Sequence, residues 1–197
     1  MKIIEPSATL IDDINPAEVM AKLERCGRVS RLSESRGKPE DFIRNIIKRG
    51  HESVLEHVSL TFHIICDRAI MAELTRHRLA AFTVESTRYV KYDELTFIKQ
   101  FDNDVVGEAW TNDVAFQAEE NYTDWLCAGA KPEEARAVLP NCLKTELYMT
   151  CNLREWRHVL KLRTSRAAHP QMRLIAGQIL ATFKDKLPVI VEDIKGE

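Results

Sequence analysis

The clearest pattern along the chain is the alternation of Val58, Leu60, Phe62 and Ile64 with Ser59, Thr61 and His63. A period of two puts each set on its own face of a strand, so 58–64 is predicted to be a strand with one buried face. Upstream, apolar residues recur at helical spacing. A helix is predicted over 16–26, with Pro16 suited to the first helical position. Another starts at Pro39, buries Phe42, Ile43, Ile46 and Ile47, and stops at Gly50. Ser53 and Glu56 then fit a capping box, hydroxyl and carboxylate satisfying amides at a helix start. Downstream, Ile70, Met71 and Leu74 open a helix predicted to carry Arg76, His77 and Arg78 near its end. Short strands are predicted over 89–92 and 95–98, and a long acidic helix over 104–127, ending before Gly129. The segment 143–151 fits either period and is read as a strand. Asn152 is the predicted N-cap of a helix reaching about Leu162. Leu153, Trp156 and Leu160 share its apolar face; Arg154, Arg157, His158 and Lys161 form a basic one. A last helix from Pro170 buries Met172, Ile175, Ile179, Phe183 and Leu187 before Pro188. A few strands among many helices, without regular alternation, predict an α+β fold in a single domain over 1–197.

With 197 residues there is material for one sizeable core. No apolar run approaches the roughly 20 residues that span a bilayer, and Ile3 and Ile4 are cut short by Glu5 and Pro6, so neither a membrane segment nor a signal peptide is expected. Cys26, Cys66, Cys127, Cys142 and Cys151 are odd in number and never spaced as Cys-x-x-Cys, which argues against a disulfide scaffold and a thiolate zinc site. The expected location is cytoplasmic. A net charge of −2 conceals a strong asymmetry: 101–134 holds nine acids against Lys131 alone, whereas 136–173 holds eight bases against Glu146 and Glu155. A second cluster, 68–91, has five bases and two acids. Basic clusters in a neutral chain suit a compact anion or a solvated helix face, and charge alone does not choose.

Three constellations could carry chemistry. Arg76-His77-Arg78 is followed after seven residues by Ser86, then Thr87, Arg88 and Tyr89. Cationic groups so close repel unless an anion sits between them, and guanidinium forks match phosphate oxygens; the plainer alternative is a basic helix C-terminus. The second is 51–57, where His51, His57 and His63 have neither the helical nor the strand spacing of metal ligands, so no metal is expected. The third joins Arg136, ahead of Pro140, to Asn152, Arg154, His158 and Arg163. No glycine-rich phosphate loop exists, so any nucleotide must be held by side chains. No cysteine stands in an evident activating environment.

Read together, Arg-His-Arg-x7-Ser, the upstream His-Glu-Ser-x-Leu-Glu-His, and the downstream Arg-x-Val-Leu-Pro, Asn-x-Arg and Leu-Arg elements resemble the flavin-dependent thymidylate synthases over most of the chain, from Arg28 to Arg173. The resemblance implies an FAD enzyme that methylates dUMP to dTMP, with methylenetetrahydrofolate as carbon donor and NADPH as reductant. It also implies a homotetramer with a small, mostly antiparallel sheet and active sites shared between copies. Carried over by position, it makes Ser30, Ser53, Glu56, Arg76, His77, Arg78, Asn152, Arg154 and His158 flavin-binding. Glu73, Arg76, Ser86, Thr87, Arg88, Arg136 and Arg163 become dUMP-binding, with Arg163 against the uracil as the catalytic group. Three places depart from the family's common pattern. Val84 lacks the usual carboxylate, with Glu85 beside it; His158 replaces asparagine; and His169-Pro170-Gln171 replaces Ala-Gln-x-Glu. The rival reading is a nucleic-acid module using Arg154, Arg157, His158 and Lys161, against which the acidic 101–134 segment argues; a further alternative is a homologue that binds nucleotide without turnover. Neither nucleic acid nor membrane is an expected partner.

Overall fold

A computed structural model describes residues 1–35, 37–100 and 104–196. Asp102, one of the nine acids counted above, lies outside them. In chain order the elements are β1 (Lys2–Ile4), β2 (Ser7–Leu10), α1 (Pro16–Arg28), α2 (Pro39–Lys48), β3 (Ser59–Asp67), α3 (Arg68–Leu74), β4 (Ala80–Val84) and β5 (Thr96–Ile98). Then follow α4 (Asp104–Trp110), α5 (Gln117–Cys127), α6 (Pro132–Ala135), β6 (Lys144–Asn152), α7 (Leu153–Arg163), α8 (Pro170–Lys186) and α9 (Pro188–Val191). Among the described residues, no helix is long and apolar enough to cross a membrane.

The chain divides into two compact units. The first comprises Met1–Ser7, Ile64–Arg76 and Thr83–Leu147. In it β1 and β5 pair in parallel, Ile3 opposite Phe97, and Phe97 also bridges to Leu143. Leu95, Phe97, Ala115, Ala118, Tyr122, Ala135 and Leu143 form its core. The long acidic helix is present, but Thr111–Phe116 adopts π geometry between α4 and α5. Glu119 is drawn inward to accept the Leu95 amide at 2.8 Å.

The second unit comprises Ala8–His63, His77–Phe82 and Tyr148–Glu197. Asn15 caps α1 with its side-chain oxygen, and Gly50 ends the turn after α2 at φ +72°. Phe62 packs edge-on against Trp156 at 5.0 Å and stacks on Phe183 at 6.0 Å, while Trp156 Nε1 donates to the Leu60 carbonyl at 3.0 Å. The larger sheet has the order β2-β3-β6-β4. Thr61 meets Thr150 hydroxyl to hydroxyl at 2.9 Å, His63 stacks on Tyr148, and the Leu153 amide donates to the Val58 carbonyl. Partner numbers fall as β3 rises, so β3 and β6 run antiparallel.

Several expectations need correction. Helix α3 ends at Leu74, so Arg76, His77 and Arg78 lie beyond it, in the turn leading to β4. Residues 89–92 are not a strand: the amides of Tyr89 and Val90 both donate to the Ser86 carbonyl, closing a turn. Strands β1, β2 and β4 lack a visible period in sequence because they are short. Glu52–His57 is a 3₁₀ helix without a side-chain cap, so the capping box at Ser53 and Glu56 does not form. The small β1–β5 pair is parallel.

Candidate functional site

The second unit contains a cleft of about 670 Å³ lined by Glu52, Glu56, Asn152, Arg154, His158 and Lys161, among others. Its geometry follows from one junction. Asn152 ends β6 and caps α7, its Oδ1 accepting the Glu155 amide at 2.9 Å. The helical repeat then sets Arg154, His158 and Lys161 on one stripe while Leu153, Trp156, Val159 and Leu160 are buried. Opposite, the buried Leu55 anchors the 3₁₀ helix so that Glu52 and Glu56 project into the cleft. Arg154 Nη1 donates to Glu56 Oε1 at 2.6 Å, joining segments about a hundred residues apart.

Arg157 does not belong to the solvated face expected for it. It is 1% exposed. Its Nη1 and Nη2 donate to the two oxygens of Asp193 at 2.7 and 2.8 Å, its Nη2 to Glu52 at 3.1 Å, and Nη1 also to the Ile190 carbonyl. Burial opposes its charge, but Asp193 and Glu52 outweigh burial and keep the guanidinium more firmly protonated. Lys161 pairs with Asp193 at 3.1 Å. With Arg157 buried, only Arg154, His158 and Lys161 of the expected basic face remain at the surface.

His77, 5% exposed, lies against the same helix. Its Nδ1 is 3.4 Å from Glu155 Oε1, and its Nε2 accepts from Arg163 Nε at 3.0 Å. The ring meets that of His158 edge-on at 5.8 Å. Burial, then the charge of Arg163, lowers the His77 pKa, with Glu155 opposing. Among the described residues, His77, Glu155 and His158 are the one trio of metal-ligating side chains whose atoms lie within 4.8 Å of each other. His51, His57 and His63 form no such group. In this arrangement the Arg163 Nε–H occupies the His77 Nε2 lone pair, so that atom is not offered to a metal ion.

The first unit holds a separate group. Thr87 is buried and receives a long 3.5 Å contact from Arg136 Nη1. Ser86 Oγ accepts the Arg88 amide at 3.3 Å, as a serine does at the start of a tight turn. The Arg88 guanidinium lies 5.2 Å from the centre of the Tyr89 ring and 3.4 Å from Glu133. Ser86, Thr87, Arg88 and Arg136 thus form a donor-rich surface with exposed guanidinium groups, suited to a phosphate monoester. Glu73, on α3, is half-buried.

Not every expected residue joins these groups. Arg76 and Arg78 are exposed. Ser53 is exposed and lines neither cleft. Ser30 donates to the Gly27 carbonyl at 3.1 Å and lines a second cleft of about 330 Å³ with Phe42, Asn45, Arg49 and His51. Glu85, beside Val84, is engaged by the Tyr92 hydroxyl at 2.7 Å and Lys144 at 3.0 Å. His169 caps α8, its Nδ1 accepting the Gln171 amide. Glu52, Glu155 and Glu133 have no role in the sequence reading, and Arg157 and Lys161 enter it only as part of the basic face. Glu155 alone had a signal, standing three residues after a predicted N-cap.

The donors of the large cleft fit a dinucleotide: Arg154, Lys161 and the Asn152 amide suit phosphate oxygens, and the His158 ring offers a stacking surface. Burial pushes the Cys66 thiol up to about 12 and raises Cys142 and Cys151 as well, so none of these three offers a ready thiolate.

Residues 9–189 match the family model Thy1, "Thymidylate synthase complementing protein". A probable flavin-dependent thymidylate synthase of Mycobacterium phage D29 is 36% identical over 194 residues, 88% of this chain and 83% of the relative. The flavin-dependent thymidylate synthase of Pyrococcus furiosus is 34% identical over 173 residues, covering 81% and 69% of the two chains. In structure, the UMP/dUMP methylase PolB of Streptomyces cacaoi, solved with 5-Br dUMP bound, superposes with a TM-score of 0.82 at 26% identity, over 98% of this chain and 96% of that one. This chain therefore belongs to the Thy1 family, that of the flavin-dependent thymidylate synthases.

Proposed function

We propose that this protein converts dUMP to dTMP, using FAD as cofactor, methylenetetrahydrofolate as carbon donor and NADPH as reductant. The observation that carries the reading is the gathering of Glu56, Asn152, Arg154 and His158, two stretches about a hundred residues apart, around one cleft. On this reading those residues hold the flavin, with His77, and Arg76, Arg78, Ser30 and Ser53 complete its contacts. A bound flavin reduced by NADPH supplies the hydride that turns a transferred methylene into a methyl group.

The chain supplies binding and charge. Arg88, Arg136, Ser86 and Thr87 hold the dUMP phosphate, with Arg76 and Glu73 beside the nucleotide. Arg163 faces the pyrimidine, where its permanent positive charge stabilises the electron density that builds up as C5 attacks the one-carbon unit. It is an electrostatic stabiliser and takes no proton. Ser86 serves as a hydrogen-bond donor, since no base adjoins it. The elevated thiol pKa values fit a reaction that needs no cysteine nucleophile.

The protein works, on the same reading, as a cytoplasmic homotetramer with sites shared between copies. Val105, Val114 and Phe116, apolar and exposed on the long acidic helix, support burial by another copy. Light scattering then gives four times the 22.6 kDa chain mass. Purified protein is expected to be yellow, to release FAD on denaturation, and to make dTMP only with all three small substrates present. Colourless protein that FAD cannot reconstitute overturns the proposal. Arg163→Ala abolishes turnover and keeps most of the flavin.

A further inference from the structure

Glu155 is buried in the first turn of α7, and no step above uses it. It touches His77, and His77 in turn touches Arg163. A neutral imidazole has one N–H and one lone pair. Nε2 must present its lone pair to accept from Arg163 Nε at 3.0 Å, so Nδ1 carries the proton and points it at Glu155, 3.4 Å away. The opposite tautomer would set N–H against N–H and break the contact with Arg163. An imidazolium would do the same, and burial next to Arg163 and His158 disfavours it.

Glu155 is itself well held. It is 6% exposed, and its amide is bound by the Asn152 side chain. Arg163 closes the helix that Glu155 opens, and His77 reaches both from the turn beyond α3.

We propose that Glu155 is a positioning residue for Arg163, acting through His77: the carboxylate keeps the proton on Nδ1, and the Nε2 lone pair then fixes the Arg163 guanidinium by its Nε–H. The inference rests on the reading of Arg163 as the group facing the pyrimidine. It assigns Glu155 no contact with substrate.

Long-range ¹H–¹⁵N spectra of the full-length protein, labelled at histidine, test the first half directly. His77 is expected as the neutral Nδ1–H tautomer near neutral pH; an Nε2–H tautomer or an imidazolium overturns the inference without any variant having to fold. The second half is a double-mutant cycle. Glu155→Leu, which offers no acceptor to Nδ1–H, lowers kcat roughly 10- to 100-fold with the dUMP KM changed by less than about threefold, as loss of a group that orients another does. In His77→Gln the side-chain carbonyl can accept from Arg163 with no tautomer to select, so adding Glu155→Leu costs less than about threefold more. Full activity in Glu155→Leu, or losses that simply multiply in the cycle, overturn the inference. Full turnover in Arg163→Ala would sink the reading of the reaction together with the inference, whereas a wrong tautomer beside an inactive Arg163→Ala sinks the inference alone.

Discussion

Arg157 and Asp193 meet fork to fork, two N–H donors on two carboxylate oxygens at 2.7 and 2.8 Å, and tie α7 to the segment after α9. Because Arg157 is buried, losing one of its two carboxylate partners is costly even with Glu52 left to hold it. Asp193→Asn or Asp193→Ala should therefore destabilise the protein by roughly 1–3 kcal/mol at neutral pH in chemical denaturation. Hydrogen bonds from Arg157, with help from Lys161, hold the Asp193 carboxyl well below the usual range. A lowered folded-state pKa gives stability that is present above the unfolded value, about 4, and is lost as pH falls towards the folded one. The gap between parent and Asp193→Asn should thus close only in strong acid.

The Arg154–Glu56 pair is half-exposed, and pairs of that kind stabilise a fold by under about 1 kcal/mol. Arg154→Ala should leave thermal unfolding of the flavin-free protein nearly unchanged. Its effect should fall on FAD affinity, weakened roughly 10-fold or more by loss of a charge-assisted contact. Equal affinity in a flavin titration would remove Arg154 from the cofactor's contacts.

Arg88 belongs to the other unit and, on the proposed reading, to the other ligand. Arg88→Ala should weaken dUMP binding about 10- to 100-fold, with FAD binding within about twofold of the parent. Separate calorimetric titrations of the two ligands decide the point, and a larger loss for FAD would reverse the assignment.

Cysteine chemistry gives a cheaper check. Cys127 is exposed, while Cys66 and Cys151 are buried and hard to ionise. Brief alkylation at mildly alkaline pH should label Cys127, spare Cys66 and Cys151, and leave dTMP formation intact. Loss of activity in step with labelling would mean that a thiol takes part.

Much of this fold is legible in sequence because its periods are long enough to read. Strand β3, α1, α2, α8 and the Asn152 cap all follow from local pattern, since each has one face buried over two turns or more, or a full strand length. The strand expected over 95–98 is present as β5, whereas the three-residue β1 is too short for a period to emerge and is set by its long-range pairing with β5, and the turn at Ser86 is closed by local amides that no period announces. The same division holds in the site. Asn152, Arg154 and His158 are recognisable from spacing and motif together. The burial of Arg157 has no local cause at all: its partners lie 105 residues upstream and 36 residues downstream. A helical wheel therefore assigns it to solvent. The cap expected at Glu56 fails although a hydroxyl and a carboxylate three apart satisfy the capping rule, because the long-range bond to Arg154 within the same chain claims the carboxylate.

Asn152 finishes a strand and begins a helix with no residue of connection between them. The rotational phase of α7 is consequently inherited from the sheet, with no slack to absorb an error. One added residue at this joint would turn every later side chain of α7 by about 100°, carrying Trp156 away from Phe62 and Arg157 away from Asp193. Tolerance to insertion should accordingly be far lower here than in the turn 128–131, which follows α5.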